Sequence, residues 1–171
     1  MMTVWAKSII GGLAAGLLLL PMAIADQLPA PEGRVVLTVS GKIQHHNQDG
    51  AAVFDQQMLE RLEQHEVQTG TPWTDKVMTF SGPLGSALME AVGAEGSTLR
   101  VTAINEYSAE VPVSDFAEFP VILALKADDQ YLRVRDKGPL FIIYPFDSHP
   151  ELNNEVYYTR SVWQIKAIEV Q

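Results

Sequence analysis

The sequence predicts an α+β domain, and three observations carry that reading. Two continuous apolar runs, Val121-Ile122-Leu123-Ala124-Leu125 and Leu140-Phe141-Ile142-Ile143-Tyr144, are each marked off by breakers: Pro120 before the first, Gly138-Pro139 and Pro145 around the second. Short runs of this kind read as strands buried on both faces. Further β-branched segments, Val35 to Val39 and Thr98 to Ile104, add strands. At least two short stretches with apolar residues at helical spacing fall among these strands, with mixed connections. The stretch Asp136 to Pro145 is expected to lie at the centre, with a partner on each side and cover on each face.

The chain has 171 residues and a net charge of −9. Lys7 supplies a positive start, Ile9 to Ile24 is almost wholly apolar, and Ala23-Ile24-Ala25 has the small-x-small pattern of a cleavage site. Residues 1–25 are expected to be a signal peptide, 26–33 a linker and 34–171 the domain. The alternative is an uncleaved anchor, but Pro21 interrupts the apolar run where a spanning helix needs roughly 20 residues. The expected location is the periplasm or the exterior. With Lys7 removed the net charge becomes −10. That balance repels nucleic acid phosphates, and no basic patch offsets it. There is no cysteine, hence no disulfide support and no lipoprotein acceptor, and stability must come from a core.

In chain order, Asp26 to Gly33 holds Pro29, Pro31 and Gly33 and reads as a linker or loose arm; Val35 to Val39 is the first strand. His45 and His46 fall in the polar segment Lys42 to Gly50. Neighbours on a strand point to opposite faces, so this pair does not readily share a metal, and surface histidines are the simpler reading. Asp55 has the character of a helix N-cap, followed by Met58, Leu59 and Leu62 at helical spacing, with His65 near the helix end. Val67 to Asp75 reads as a polar loop around Trp73, and Lys76 to Phe80 as a strand. Ser81-Gly82-Pro83 is expected to start a helix that Gly93 ends. Thr98 to Ile104 is a strand, Asn105-Glu106-Tyr107 a turn, Val111-Pro112 a second extended piece, and Asp115 to Phe119 one helical turn. Asp128-Asp129 turns a hairpin into Tyr131 to Val134. Asp147 to Asn154 is a loop or short helix, and Tyr157 to Val170 closes the chain with a final strand.

The succession Phe80-Ser81-Gly82-Pro83-Leu84, Ala91-Val92-Gly93-Ala94, Ala103-Ile104-Asn105-Glu106-Tyr107, Val111-Pro112, Leu123-Ala124-Leu125, Lys137-Gly138-Pro139-Leu140, Pro145 and Arg160-Ser161-Val162-Trp163-Gln164-Ile165 resembles the molybdopterin-binding domain of the sulfite oxidase family, in particular its small exported bacterial members. The resemblance covers roughly Val35 to Val170. It implies a compact mixed-sheet α+β domain of the sulfite oxidase molybdopterin-binding type, with a loop-lined pocket; it makes molybdopterin a possible cofactor and oxidation or reduction of small oxyanions and sulfoxides the family's chemistry. Members of that family hold molybdenum with a cysteine thiolate placed before the helix expected here at Pro83. The matching loop, Val67 to Trp73, offers hydroxyls at Thr69 and Thr71, and Thr74 follows; a neutral hydroxyl is a poor substitute for a soft, charged sulfur. The start of the chain has no twin arginine, which points to export of an unfolded chain that could not carry a folded cofactor pocket.

Three functions follow as expectations. The leading one is a periplasmic binding or sensing module with no cofactor, which holds a small anionic ligand or metabolite and reports to a membrane sensor protein. A non-catalytic partner subunit and a molybdopterin-dependent oxidoreductase with non-cysteine ligation are the alternatives. No catalytic residue and no metal ligand is singled out. The candidate ligand contacts are Thr71, Trp73, Asn105, Tyr107, Lys137 and Arg160, the last two as charge-assisted donors to an anion. Each has a plain structural alternative: Trp73 in the core, Asn105 tolerating an unusual turn, Tyr107 at the core edge, Lys137 solvated on a turn, Arg160 paired with a surface carboxylate.

Overall fold

Strand β1 (Val35–Gly41) lies parallel to the last strand, β11 (Ile165–Val170), and antiparallel to β2 (Ala51–Asp55). On the far side of β11 run β5 (Thr98–Ala103) and β6 (Ser108–Pro112), giving a five-stranded sheet of order β2-β1-β11-β5-β6. A second sheet has the order β3 (Gln64–Thr69), β4 (Met78–Pro83), β8 (Lys126–Ala127) and β9 (Gln130–Tyr131), all antiparallel. Between them lies the antiparallel pair β7 (Ile122–Ala124) and β10 (Phe141–Ile143). Helices α1 (Gln56–Glu60), α2 (Gly85–Val92), α3 (Val113–Glu118) and α4 (Glu155–Arg160) fill the connections. This computed structural model describes residues 28–171, so the expected signal peptide lies outside the described residues, as do the first two residues of the expected linker. No described helix is long and apolar enough to cross a membrane.

The two apolar runs form the β7–β10 pair, and the structure explains why they are continuous. Val121, Leu123, Leu125, Leu140, Ile142 and Tyr144 belong to the main core with the five-stranded sheet. The alternate residues Ile122, Ala124, Phe141 and Ile143 belong to a second core with Val67 and Phe80 of the four-stranded sheet. Side chains alternate across a strand, so a pair between two cores needs apolar residues at every position. Beyond β7, the free edge of β10 is satisfied irregularly: Ile142 N–H donates to Val162 O at 2.9 Å, and Ile165 N–H to Leu140 O at 3.2 Å. The expectation of cover on both faces holds. The middle position of the largest sheet, however, belongs to β11 and not to this run.

Three local expectations are corrected. Helix α1 stops at Glu60, and Gln64–Thr69, read as a helix end and polar loop, is strand β3. Its only inward residues are Val67 and Thr69, so its pattern looks like loop; pairing with β4 makes it a strand. Ser81-Gly82-Pro83 ends β4 rather than starting a helix, and α2 begins at Gly85. A Cβ on Gly82 would lie 2.1 Å from Leu123 O, so glycine serves here for the close approach of β4 to β7. Gly93, at φ +60°, ends α2 as expected. Helix α4 precedes the final strand where only extended chain was anticipated.

Asp55 ties the start of the domain together. Its Oδ1 accepts the Met58 amide at 2.9 Å, capping α1, and its Oδ2 accepts the amides of Glu32 and Gly33 at 2.8 and 2.7 Å. Leu28 also packs on the main core, so residues 28–33 are docked. The amides of Met58, Gly33 and Glu32, in that order, outweigh burial and hold the Asp55 carboxyl below its ordinary value. Asp55→Asn should cost about 2 kcal/mol at pH 7 by weakening the cap and the two loop contacts. The gap to wild type is fully present above pH ~4 and should close as pH falls through the lowered folded value, because both chains are then uncharged at this position. Urea unfolding at pH 7 and pH 3 checks this; a gap that persists unchanged at the lower pH refutes it.

Candidate functional site

Two pockets meet at an aromatic cluster. Trp73 packs against Phe141, Tyr158 and Trp163 with centroids 5.9, 6.1 and 5.1 Å apart, and Phe141 lies 5.9 Å from Trp163. Trp73 and Trp163 line the first pocket, and Phe141 lines the second.

The first pocket, about 370 Å³, draws on three regions: Trp73 from the β3–β4 loop, Ala103, Asn105 and Tyr107 from the β5–β6 turn, and Glu155, Tyr158, Thr159, Ser161, Val162 and Trp163 from α4 and the link to β11. The turn is built locally. Asn105 Oδ1 accepts the Tyr107 amide at 3.1 Å, Glu106 adopts φ +68°, and Ala103 N–H donates to Tyr107 O at 2.8 Å. Asn105 thus shapes the turn that presents Tyr107, whose hydroxyl donates to Thr159 O at 3.3 Å. The loop carrying Trp73 is closed by threonines. Thr71 N–H donates to Thr74 Oγ1 at 3.0 Å, and Trp73 N–H to Thr71 Oγ1 at 3.3 Å. Of the six sequence candidates, Trp73, Asn105 and Tyr107 come together here, while Thr71 braces the loop behind Trp73.

Arg160 and Lys137 lie elsewhere. Arg160 Nη1 donates to Asp115 Oδ1 and Oδ2 at 3.2 and 2.9 Å, and its guanidinium sits 5.1 Å from the Tyr157 ring centroid. Asp115 is buried and also accepts the Tyr144 hydroxyl at 2.7 Å. Burial first, and then the Asp115 carboxylate, push the Tyr144 phenol far above its ordinary value, so it is a permanent donor. This triad joins α3, α4 and the end of the β10 segment. Lys137, at φ +73°, lies on the rim of the second pocket.

That pocket, about 630 Å³, has an apolar floor of Met78, Phe80, Ala127, Leu132 and Phe141, and a rim with Thr74, Arg133, Arg135, Asp136 and Lys137. A short 3-10 turn, Val134–Asp136, gathers the cations. Arg133 N–H groups hold Asp136: Nε lies 2.7 Å from Oδ2, with Arg135 Nε 3.7 Å from the same oxygen. Arg133 first, then Arg135, draw the Asp136 carboxyl below its ordinary value. The rim therefore carries three cations against one carboxylate. Arg133 and Arg135 escaped the sequence reading, although Arg133-x-Arg135-x-Lys137 in an acidic chain was a visible signal. Glu155 and Tyr158 had none, because they reach the first pocket only through α4.

The loop that resembles the molybdenum-binding loop has its hydroxyls engaged. Thr69 is fully buried; its Oγ1 donates to Gly70 O at 3.0 Å and accepts the Asp147 amide at 3.1 Å. Thr71 and Thr74 bond each other through their hydroxyls at 3.2 Å. Among the described residues there is no group of three or more His, Cys, Asp or Glu placed to hold a metal. None of these residues is a thiolate, so the loop does not supply the cysteine ligand that the resemblance implies.

No family model matches the sequence, and no curated protein matches it. Among solved structures, the fold is similar to the sulfane dehydrogenase SoxCD from Paracoccus pantotrophus, with a TM-score of 0.55 and 16% identity. The match covers 78% of this chain and 37% of that one. At this identity the likeness shows the fold alone: a mixed α+β domain similar to part of that structure.

Proposed function

We propose that this chain is a non-catalytic binding module, exported to the periplasm or beyond after cleavage of its first 25 residues, which keeps a distantly sulfite-oxidase-like fold without molybdenum ligation and binds a small anionic metabolite in the second pocket. The observation that carries this reading is the convergence of Arg133, Arg135 and Lys137 over an apolar floor in a chain of net charge −9. Such a pocket suits a ligand with an apolar body and a carboxylate, sulfonate or phosphate head. Lys137 makes no ion pair or side-chain hydrogen bond among the described residues, and Arg135 makes only the 3.7 Å contact with Asp136 through Nε, so Lys137 Nζ and the Nη groups of Arg135 can still donate to an anion. A change in the Arg133–Asp136 turn on binding would be the signal passed to a membrane sensor protein.

Titration calorimetry of the full chain with sulfate, phosphate and benzoate tests the site. At least one probe should bind saturably and more weakly as salt rises, and Lys137→Ala should weaken it about tenfold, the scale of a charge-assisted hydrogen bond. Failure of all three probes, or affinity unchanged in the Arg135→Ala, Lys137→Ala double variant, refutes it. Native mass spectrometry with metal analysis on protein from its own compartment tests the rest. A mass excess matching a molybdenum–pterin species would make the chain an oxidoreductase with non-cysteine ligation, and a stably co-purifying protein would favour the partner subunit.

A further inference from the structure

The first pocket has a chemistry opposite to that of the second. Its only formally charged lining residue is Glu155, in the first turn of α4, and this exposed carboxylate makes no ion pair or side-chain hydrogen bond among the described residues. Four aromatic residues line the same space: Trp73, Tyr107, Tyr158 and Trp163. Trp73 meets Trp163 at 66° and Tyr158 at 75°, so these rings stand as walls at a corner and not as a stack that fills the pocket. Aromatic faces are negative, and a nearby carboxylate adds to the same field. The hydroxyl protons and the amide oxygen of the lining are engaged within the protein: Asn105 Oδ1 accepts the Tyr107 amide, and the hydroxyls of Tyr107, Tyr158, Thr159 and Ser161 donate to Thr159 O, Asn153 Oδ1, Glu155 O and Tyr157 O. No lining residue offers a charged donor to an anion. The Trp163 ring is already engaged by Lys137 of the second pocket, whose Nζ lies 5.8 Å from its centroid, so Trp73 and Tyr158 are the rings left to face a ligand's charge.

We propose that the first pocket binds a small organic cation, a quaternary ammonium or protonated amine, with its charge against Trp73 and Tyr158 and balanced by Glu155. The pocket volume of about 370 Å³ suits a headgroup of that size. The proposal concerns a different pocket and the opposite charge from the anion site, and it does not depend on that site.

Choline and its neutral carbon isostere, 3,3-dimethylbutan-1-ol, separate charge recognition from apolar fit. Both are titrated into the full chain at constant ionic strength, followed by calorimetry and tryptophan fluorescence. Choline should bind saturably and the isostere about tenfold more weakly, since only the cation gains from the ring faces and the carboxylate. Glu155→Gln should weaken choline about three- to tenfold, with an unchanged melting temperature and unchanged binding of the isostere. Equal affinity for the two probes, no saturable choline binding up to the solubility limit, or a Glu155→Gln variant that binds choline as wild type does, overturns the proposal. Anion titrations at the second pocket should be the same in wild type and Glu155→Gln, so failure at one pocket is read independently of the other.

Discussion

Ile142→Asp should leave no folded protein. Ile142 is completely buried in β10, on the side that faces the main core, and its backbone amide is committed to Val162 O. An aspartate there would place an unpaired carboxylate among Leu, Val and Tyr side chains with no donor to receive it. The penalty of an unpaired buried charge exceeds about 5 kcal/mol, against a total stability of roughly 5–15 kcal/mol for an ordinary domain. The far-ultraviolet circular dichroism of the purified variant at 25 °C decides the matter. A cooperative thermal transition near that of wild type would mean that the β7–β10 layer is not the shared wall of the two cores. Ile142→Val is the matched control and should cost only about 1 kcal/mol.

Arg160→Ala should cost about 3 kcal/mol, the scale of breaking one partner from a buried pair, and lower the melting temperature by about 10 °C. The guanidinium is one-fifth exposed, but Asp115 is almost wholly buried, so the substitution strands a carboxylate whose remaining donor is the Tyr144 hydroxyl. Asp115→Ala should cost at least as much, because it leaves both the Arg160 charge and the Tyr144 hydroxyl without their acceptor. The double variant should cost clearly less than the two single variants together, as expected for residues in one network. An unchanged melting temperature in Arg160→Ala would return this residue to the list of ligand contacts. A full additive loss would mean that the two side chains act through separate partners.

The legible parts of the fold were those decided by local chemistry. Gly93 ended α2 because its position needs a left-handed backbone, and Asp55 capped α1 because a carboxylate satisfies free amides at a helix start. Strand β3 was hidden because five of its six residues carry polar side chains, and its identity rests on the partner strand β4. Gly82 was read as punctuation before a helix, since nothing local reveals that another strand passes 2.1 Å from the place its Cβ would take. The candidate site divided in the same way. Asn105 and Tyr107, singled out from the resemblance, line one pocket with Trp73 because the β5–β6 turn that carries them faces outward. Arg160 was placed among ligand contacts because its partner, Asp115, is 45 residues away.

By itself the sequence determined the α+β class, the doubly buried character of the two apolar runs, and an acidic chain without thiolate. These follow from composition and period, which act residue by residue. Only the tertiary structure decided that β11 holds the middle of the main sheet, that Arg160 belongs to a buried ion pair, and that the cations Arg133, Arg135 and Lys137 rim one pocket while Glu155 and four aromatic residues line another. Charge sign at a site depends on which distant segments meet, and β1 and β11, which bring the two ends of the domain together, are separated by more than 120 residues of chain whose path no local pattern encodes.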